Sequence, residues 1–113
     1  CYDLRFPEAV RAIDAPDLLI YMANWPQDRK EHWEVLLRAR AIENQCFVIG
    51  CNRVGIDAND IRYFGGSQLI RPDGAVVSLS DQTDHIELDI HTSSVNNYRQ
   101  KLPFQKDKKS FSI

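Results

Sequence analysis

Long hydrophobic runs are missing from this chain of 113 residues: the longest, Leu18-Leu19-Ile20-Tyr21-Met22-Ala23 and Cys46-Phe47-Val48-Ile49-Gly50-Cys51, have six residues each. A helix that crosses a bilayer needs roughly 20, so no membrane span is expected. An excess of one charge is missing too. The 14 Lys and Arg against 16 Asp and Glu leave a formal net charge of −2, which offers no general attraction to phosphate backbones or anionic lipid. Neither nucleic acid nor membrane is expected as a partner. Cysteine is scarce, with 3 residues at no metal-ligand spacing, and the 3 histidines are scattered. No metal or other cofactor is expected, and an odd number of thiols points to a reducing, cytoplasmic setting. The opening residues lack the basic start, apolar middle and small-residue end of a secretory leader. There is no internal repeat, low-complexity block or linker, and the length is near the modal size of one domain.

What is present is an alternation of helical and extended patterns, followed by shorter extended segments. Phe6 to Ile13 has helical character, with Pro7 tolerated in a first turn, and Cys1 is expected just ahead of that helix. Asp17 to Ala23 reads as a strand buried on both faces, broken by the Asn24-Trp25-Pro26-Gln27-Asp28 loop. Arg29 to Gln45 contains no Gly or Pro and aligns Trp33, Leu36, Leu37 and Ala41 on one stripe, the clearest helix of the chain. Arg40 falls on the same stripe, where a charge needs a partner, and Glu43 stands three residues on. Cys46 to Cys51 reads as a second buried strand, with both cysteines as inert filler. His32 reads as a packed histidine and His91 as a solvent-facing one. Pro72-Asp73-Gly74 predicts the turn of a hairpin between Ser67–Arg71 and Ala75–Leu79. His85 to Ile90 alternates apolar and acidic residues as a strand would. A last helix is expected from Ser93 or Ser94, as cap, to Lys101, before a charged tail. One mixed α/β unit accounts for this order.

Cys1 is the residue with the most chemical promise. A thiol ahead of a helix N-terminus feels the positive end of the helix dipole, which favours the thiolate, and a thiolate attacks carbonyl or nitrile carbon. The N–H of Tyr2 would point into the same space and stabilise a developing oxyanion. Arg5, one turn on, would share that pocket and hold a substrate carboxylate through a bidentate pair. By pattern alone, Cys1 also reads as a small buried hydrophobe, and Arg5 with Glu8 as a surface ion pair.

Six blocks in order decide between these readings. Cys1-Tyr2-Asp3-Leu4-Arg5-Phe6-Pro7-Glu8, Ala23-Asn24-Trp25-Pro26, His32-Trp33, Arg38-Ala39-Arg40-Ala41-Ile42-Glu43-Asn44-Gln45, Gly50-Cys51-Asn52-Arg53-Val54-Gly55 and Gly66-Ser67 with Pro72-Asp73-Gly74 resemble the carbon-nitrogen hydrolase (nitrilase) superfamily, closest to its omega-amidase branch. The likeness runs to about Phe104. It implies that residues 1–113 are the C-terminal portion of a single hydrolase domain whose N-terminal half is absent, forming half of a four-layer α-β-β-α sandwich with a mixed sheet and helices on one face. It further implies a Glu-Lys-Cys triad, of which only the cysteine has a counterpart, Cys1, forming a thioester with release of ammonia. Tyr2 would supply an oxyanion N–H, Arg5 would contact the carboxylate of a small omega-amide such as α-ketoglutaramate, and Asn24 and Trp25 would line the pocket. The glutamate and lysine are not assigned within this chain, so the fragment alone is expected to be inactive. The helix over 31–45 would pack near the interface of a homodimer or higher homo-oligomer, with the tail from Lys101 to Ile113 over the partner.

Two alternatives stay open at this point. Cys1 taken literally would be an N-terminal nucleophile with its own α-amine as base, although such a nucleophile begins a strand and Phe6-Pro7-Glu8 enters a helix. A catalytically incomplete relative would instead serve as a binding or scaffold module.

Overall fold

The computed structural model describes residues 1–79 and 85–110. Its centre is a four-stranded mixed sheet in the order β1-β2-β5-β6, built from β1 (Leu18–Ala23), β2 (Phe47–Asn52), β5 (Gln68–Ile70) and β6 (Val76–Ser78). β1 and β2 are parallel, in a register that sets Leu18 beside Phe47 and Ala23 beside Asn52, and the later strands are antiparallel. β3 (Val54–Ile56) and β4 (Arg62–Phe64) form a separate hairpin. The helices are α1 (Pro7–Arg11), α2 (Lys30–Asn44) and α3 (Ser93–Lys101), with short 3-10 turns over Tyr2–Arg5, Gln27–Arg29 and Phe104–Asp107.

α2 crosses between the parallel strands as the uninterrupted pattern requires, and its expected stripe is the buried one: Trp33, Leu37 and Ala41 are fully inaccessible. The helix stops at Gln45, whose φ of 49° and ψ of 50° put it in the left-handed region. That conformation favours Gly or Asn. Here the glutamine side chain offsets the cost, because its Nε2 donates to the Leu102 carbonyl at 2.8 Å. The helix lies close on β2. A Cβ on Gly50 would stand 2.6 Å from Leu37 Cδ1 and 2.7 Å from Trp33 Cζ2, both on side chains with no room to retreat. Gly50→Ala is therefore expected to destabilise the protein by about 1–3 kcal/mol through overpacking, read as a lowered midpoint in urea with an unchanged slope.

The strand faces are unequal. Leu19, Tyr21, Val48 and Ile70 join Trp33, Leu37 and Ala41 in one core beneath α2. On the opposite face α3 covers one end, with Val95 against Phe47 and Leu69. At the other end Ile20 is 60% and Met22 76% exposed, and Cys51 beside them is exposed as well. The expectation that β1 is buried on both faces is thus corrected to burial on one face along most of its length. Cys51 is not filler but an exposed thiol, whereas Cys46 is buried as expected.

Three further corrections concern boundaries. A 3-10 turn over Tyr2–Arg5 precedes α1, so Cys1 caps that short turn and the α-helix begins at Pro7. Residues 85–90 form no strand, since an alternating segment needs a neighbouring edge and none pairs with it among the described residues. The cap residue of α3 is Thr92, and Ser94 Oγ donates to the His91 carbonyl at 2.7 Å. The Pro72-Asp73-Gly74 hairpin is as expected, with the Gly74 amide donating to the Arg71 carbonyl at 2.8 Å. Residues 111–113, the end of the tail expected to reach a second subunit, lie outside the described residues.

Candidate active site

Cys1 is exposed and opens a 3-10 turn in which its carbonyl accepts from the Leu4 amide at 3.2 Å and the Asp3 carbonyl accepts from the Phe6 amide at 3.0 Å. The turn survives on so few local bonds because Leu4 is fully buried in the core under α2. Tyr2 is the first residue of that turn and 70% exposed, its ring edge-on to Phe6 at 5.0 Å. Amides at the start of a helical turn have no partner within it, and Tyr2 holds that position next to Cys1. Dipole assistance from four residues is small. Cys1 borders an open cavity of about 560 Å³ with Met22, Ala23, Asn24, Cys51, Asn52 and Arg53. The cavity lies at the C-terminal ends of β1 and β2, beside the bare end of the sheet. Cys1 begins a turn and not a strand.

Of the sequence-derived set, Asn24 shares this cavity with Cys1, whereas Tyr2, Arg5 and Trp25 do not border it, which corrects the expectation that Arg5 shares the pocket of Cys1. Trp25 is 3% exposed and forms the bed on which Arg5 rests: the Arg5 guanidinium stands 4.8 Å from the centre of the Trp25 ring. Behind it Trp33 follows at 5.5 Å. Arg5 also meets His32 Nδ1 at 3.3 Å. His32 is exposed and engaged with Arg5, which corrects its reading as a packed histidine; His91 is exposed as expected.

Asn52 is the organiser that residue-type reasoning passed over. Its Oδ1 accepts from the Trp25 amide at 2.7 Å, and its Nδ2 donates to the Trp25 carbonyl at 3.0 Å and the Gly65 carbonyl at 2.8 Å. One side chain thereby fastens the Asn24–Trp25 loop to the Gly65–Gly66 segment. The Arg53 amide adds a bond to the Ala23 carbonyl at 3.1 Å. The signal was available in the block Gly50-Cys51-Asn52-Arg53, where an amide side chain follows a run of buried strand residues.

A second cation, Arg53, flanks the cavity with its guanidinium 4.5 Å from the centre of the Tyr63 ring. Tyr63 is in turn fixed by its hydroxyl, which donates to Asp57 Oδ2 at 2.8 Å. That bond, with the Ile61 and Asn59 amides donating to Asp57 Oδ1, holds the Asp57 carboxyl below the usual carboxylate range and pushes the Tyr63 phenol up. Away from the site, burial raises the Cys46 thiol to about 11, so near neutral pH Cys46 is a thiol and not a nucleophile. Arg40 and Glu43 form the expected ion pair at 3.0 Å, with Arg40 inside and Glu43 a third exposed. No described helix is long and apolar enough to cross a membrane.

With the geometry established, comparison with known proteins gives a consistent result. The carbon-nitrogen hydrolase family model matches residues 1–100. The omega-amidase YafV of Escherichia coli K12 is 44% identical over 115 aligned residues, covering 100% of this chain and 45% of that protein. The 2-oxoglutaramate amidase of Paenarthrobacter nicotinovorans is 38% identical over 97% of this chain and 38% of its own length. Among solved structures, XC1258 from Xanthomonas campestris, a CN-hydrolase superfamily protein with an arsenic adduct in the active site, superposes with a TM-score of 0.90 at 39% identity. That match covers 100% of this chain and 46% of XC1258. The chain thus spans about half the length, or less, of these relatives.

Proposed function

The chain belongs to the carbon-nitrogen hydrolase family, and from that membership we propose that it carries the nucleophile and part of the substrate pocket of an omega-amidase-type amidohydrolase. The observation that carries this reading is the coincidence of an exposed thiol, a turn that offers its first amide, and an open cavity at the strand ends. The Cys1 thiolate attacks the amide carbonyl carbon, and the Tyr2 N–H stabilises the oxyanion that forms. Collapse of the tetrahedral species breaks the carbon-nitrogen bond, and the departing amino group takes up the proton given up by the thiol and leaves as ammonia. Water then hydrolyses the thioester to the free acid and restores the thiol. The general base glutamate and the lysine that the family resemblance implies have no counterpart in residues 1–113, so the chain alone is inactive in this reading. In this reading the portion of the family domain that residues 1–113 do not span supplies them and covers Ile20, Met22 and Cys51 to complete the four-layer sandwich.

The substrate is a small amide that carries a carboxylate at its far end, α-ketoglutaramate being the type. The relatives' names support this choice, as does Arg5, held at the turn by Trp25 and His32. Asn24 and Trp25 complete the pocket, Asn24 as lining and Trp25 as the surface on which Arg5 is set. Replacing Arg5 by Ala in the full-length protein should raise KM steeply for carboxylated amides and leave neutral amides unaffected. Equal effects on both would remove that role.

The outer face of α2 supports a homodimer. Val35 is 57% and Ile42 50% exposed, Val76 beside them 40%, and Glu31, Glu34 and Arg38 rim the same shallow groove. Antiparallel pairing of two copies would bury the apolar residues and oppose the acidic and basic ones. Ile42→Asp is expected to convert the dimer to monomer in sedimentation velocity, and an unchanged dimer would place the interface elsewhere. A reducing, cytoplasmic setting suits Cys1, Cys46 and Cys51, which are all free thiols.

A further inference from the structure

The buried guanidinium of Arg40 points to a role beyond the ion pair, and we propose that Arg40 is the positioning residue for the nucleophile turn. This rests on the reading of Cys1 as nucleophile. Arg40 is 3% exposed on the inner face of α2. Its Nη2 donates to the Leu4 carbonyl while its Nη1 donates to Glu43 Oε1 at 3.0 Å. Leu4 is also the residue whose amide closes the turn on the Cys1 carbonyl. A single residue therefore links Arg40 to Cys1: main-chain donor to the nucleophile, main-chain acceptor to the arginine. A second arginine ties α1 to the same helix from the other side, since Arg11 Nη1 donates to the Glu43 carbonyl at 3.0 Å.

Stability alone does not call for an arginine at this position. Burying a guanidinium removes it from water, its Nε has no partner among the described residues, and apolar residues in place of a whole buried ion pair are often neutral or better for stability. What the guanidinium supplies is direction. Its rigid fork aims donors on two separate nitrogens at two acceptors in fixed directions, whereas a lysine's three N–H bonds share one rotatable nitrogen. Without it the Leu4 carbonyl is left in a buried place without its side-chain donor. The 3-10 turn can then open toward water, which moves Cys1 without unfolding the sheet.

The test uses the full-length protein with Arg40→Met, Arg40→Lys and Cys1→Ala. Arg40→Met is expected to lower the single-turnover rate of acylation about 10- to 100-fold, the size of effect a displacement near 1 Å produces. KM should stay within about twofold, because no substrate contact is lost, and the slower acylation should persist well below the variant's thermal midpoint, which falls because the Leu4 carbonyl and Glu43 lose their donor. Arg40→Lys, which keeps one donor for the Leu4 carbonyl, should recover part of the rate. An unchanged acylation rate in Arg40→Met overturns the proposal, as does a loss of rate that disappears at temperatures where both variants are fully folded. If Arg40→Met does not fold, Arg40→Lys decides: a slower acylation with normal KM and normal midpoint supports positioning, and wild-type kinetics overturns it. Activity retained by Cys1→Ala would instead reject the nucleophile itself, so the two failures are distinct.

Discussion

Cys1→Ala in the full-length protein is expected to abolish release of ammonia from carboxylated amides, with kcat lowered on the order of 10⁴-fold or more. Removing a nucleophile eliminates the covalent path and leaves only binding and oxyanion stabilisation. The fold should be indifferent to the change. Cys1 is exposed and makes its turn bond through its main-chain carbonyl, so the unfolding free energy should move by no more than about 0.5 kcal/mol. Ammonia release and urea unfolding measured on one preparation separate chemistry from stability. Cys51→Ala is the internal control, since it removes a second thiol bordering the same cavity and should retain turnover.

The second large effect falls on stability. Asn52→Ala withdraws three side-chain hydrogen bonds from the Trp25 amide, the Trp25 carbonyl and the Gly65 carbonyl. Main-chain groups left without partners in a buried place cost about 1–3 kcal/mol each, so a loss of about 3 kcal/mol or more is expected in chemical denaturation. Asn52→Asp should be no milder, because it loses the donor that serves both carbonyls and turns a carboxylate toward them. Turnover should fall too at temperatures where the variant is still folded. The loop that Asn52 fastens carries Asn24 into the Cys1 cavity and Trp25 beneath Arg5. An Asn52→Ala protein as stable as wild type would mean that these groups find other partners.

How much of this was legible in the sequence depended on whether the determining physics was local. α2 was legible because its stripe, the absence of Gly and Pro, and its length all agree. The Pro72-Asp73-Gly74 hairpin was legible because turn geometry is set by residues within the turn. The bare end of β1 was not: Leu18 to Ala23 is apolar throughout, and only the arrangement of layers decides that Ile20 and Met22 lack a cover here. Residues 85–90 carry a strand pattern, yet a strand exists only with a neighbour, and periodicity says nothing about whether one is present. At the site, Cys1 and Arg5 are proposed from motif and spacing. The engagement of Arg5 by Trp25 and His32 depends on a contact across 27 residues between Arg5 and His32, beyond the reach of local pattern. Asn52 was overlooked for a related reason, since its importance comes from main-chain groups that any residue type presents.

The most direct test is mass spectrometry of the full-length protein mixed with a carboxylated amide and quenched in acid within one turnover. The acyl group is expected on the peptide that contains Cys1, lost on treatment with hydroxylamine as a thioester would be and absent from Cys1→Ala. Turnover without acylation of Cys1, or acyl transfer to Cys51 in its place, would contradict the account.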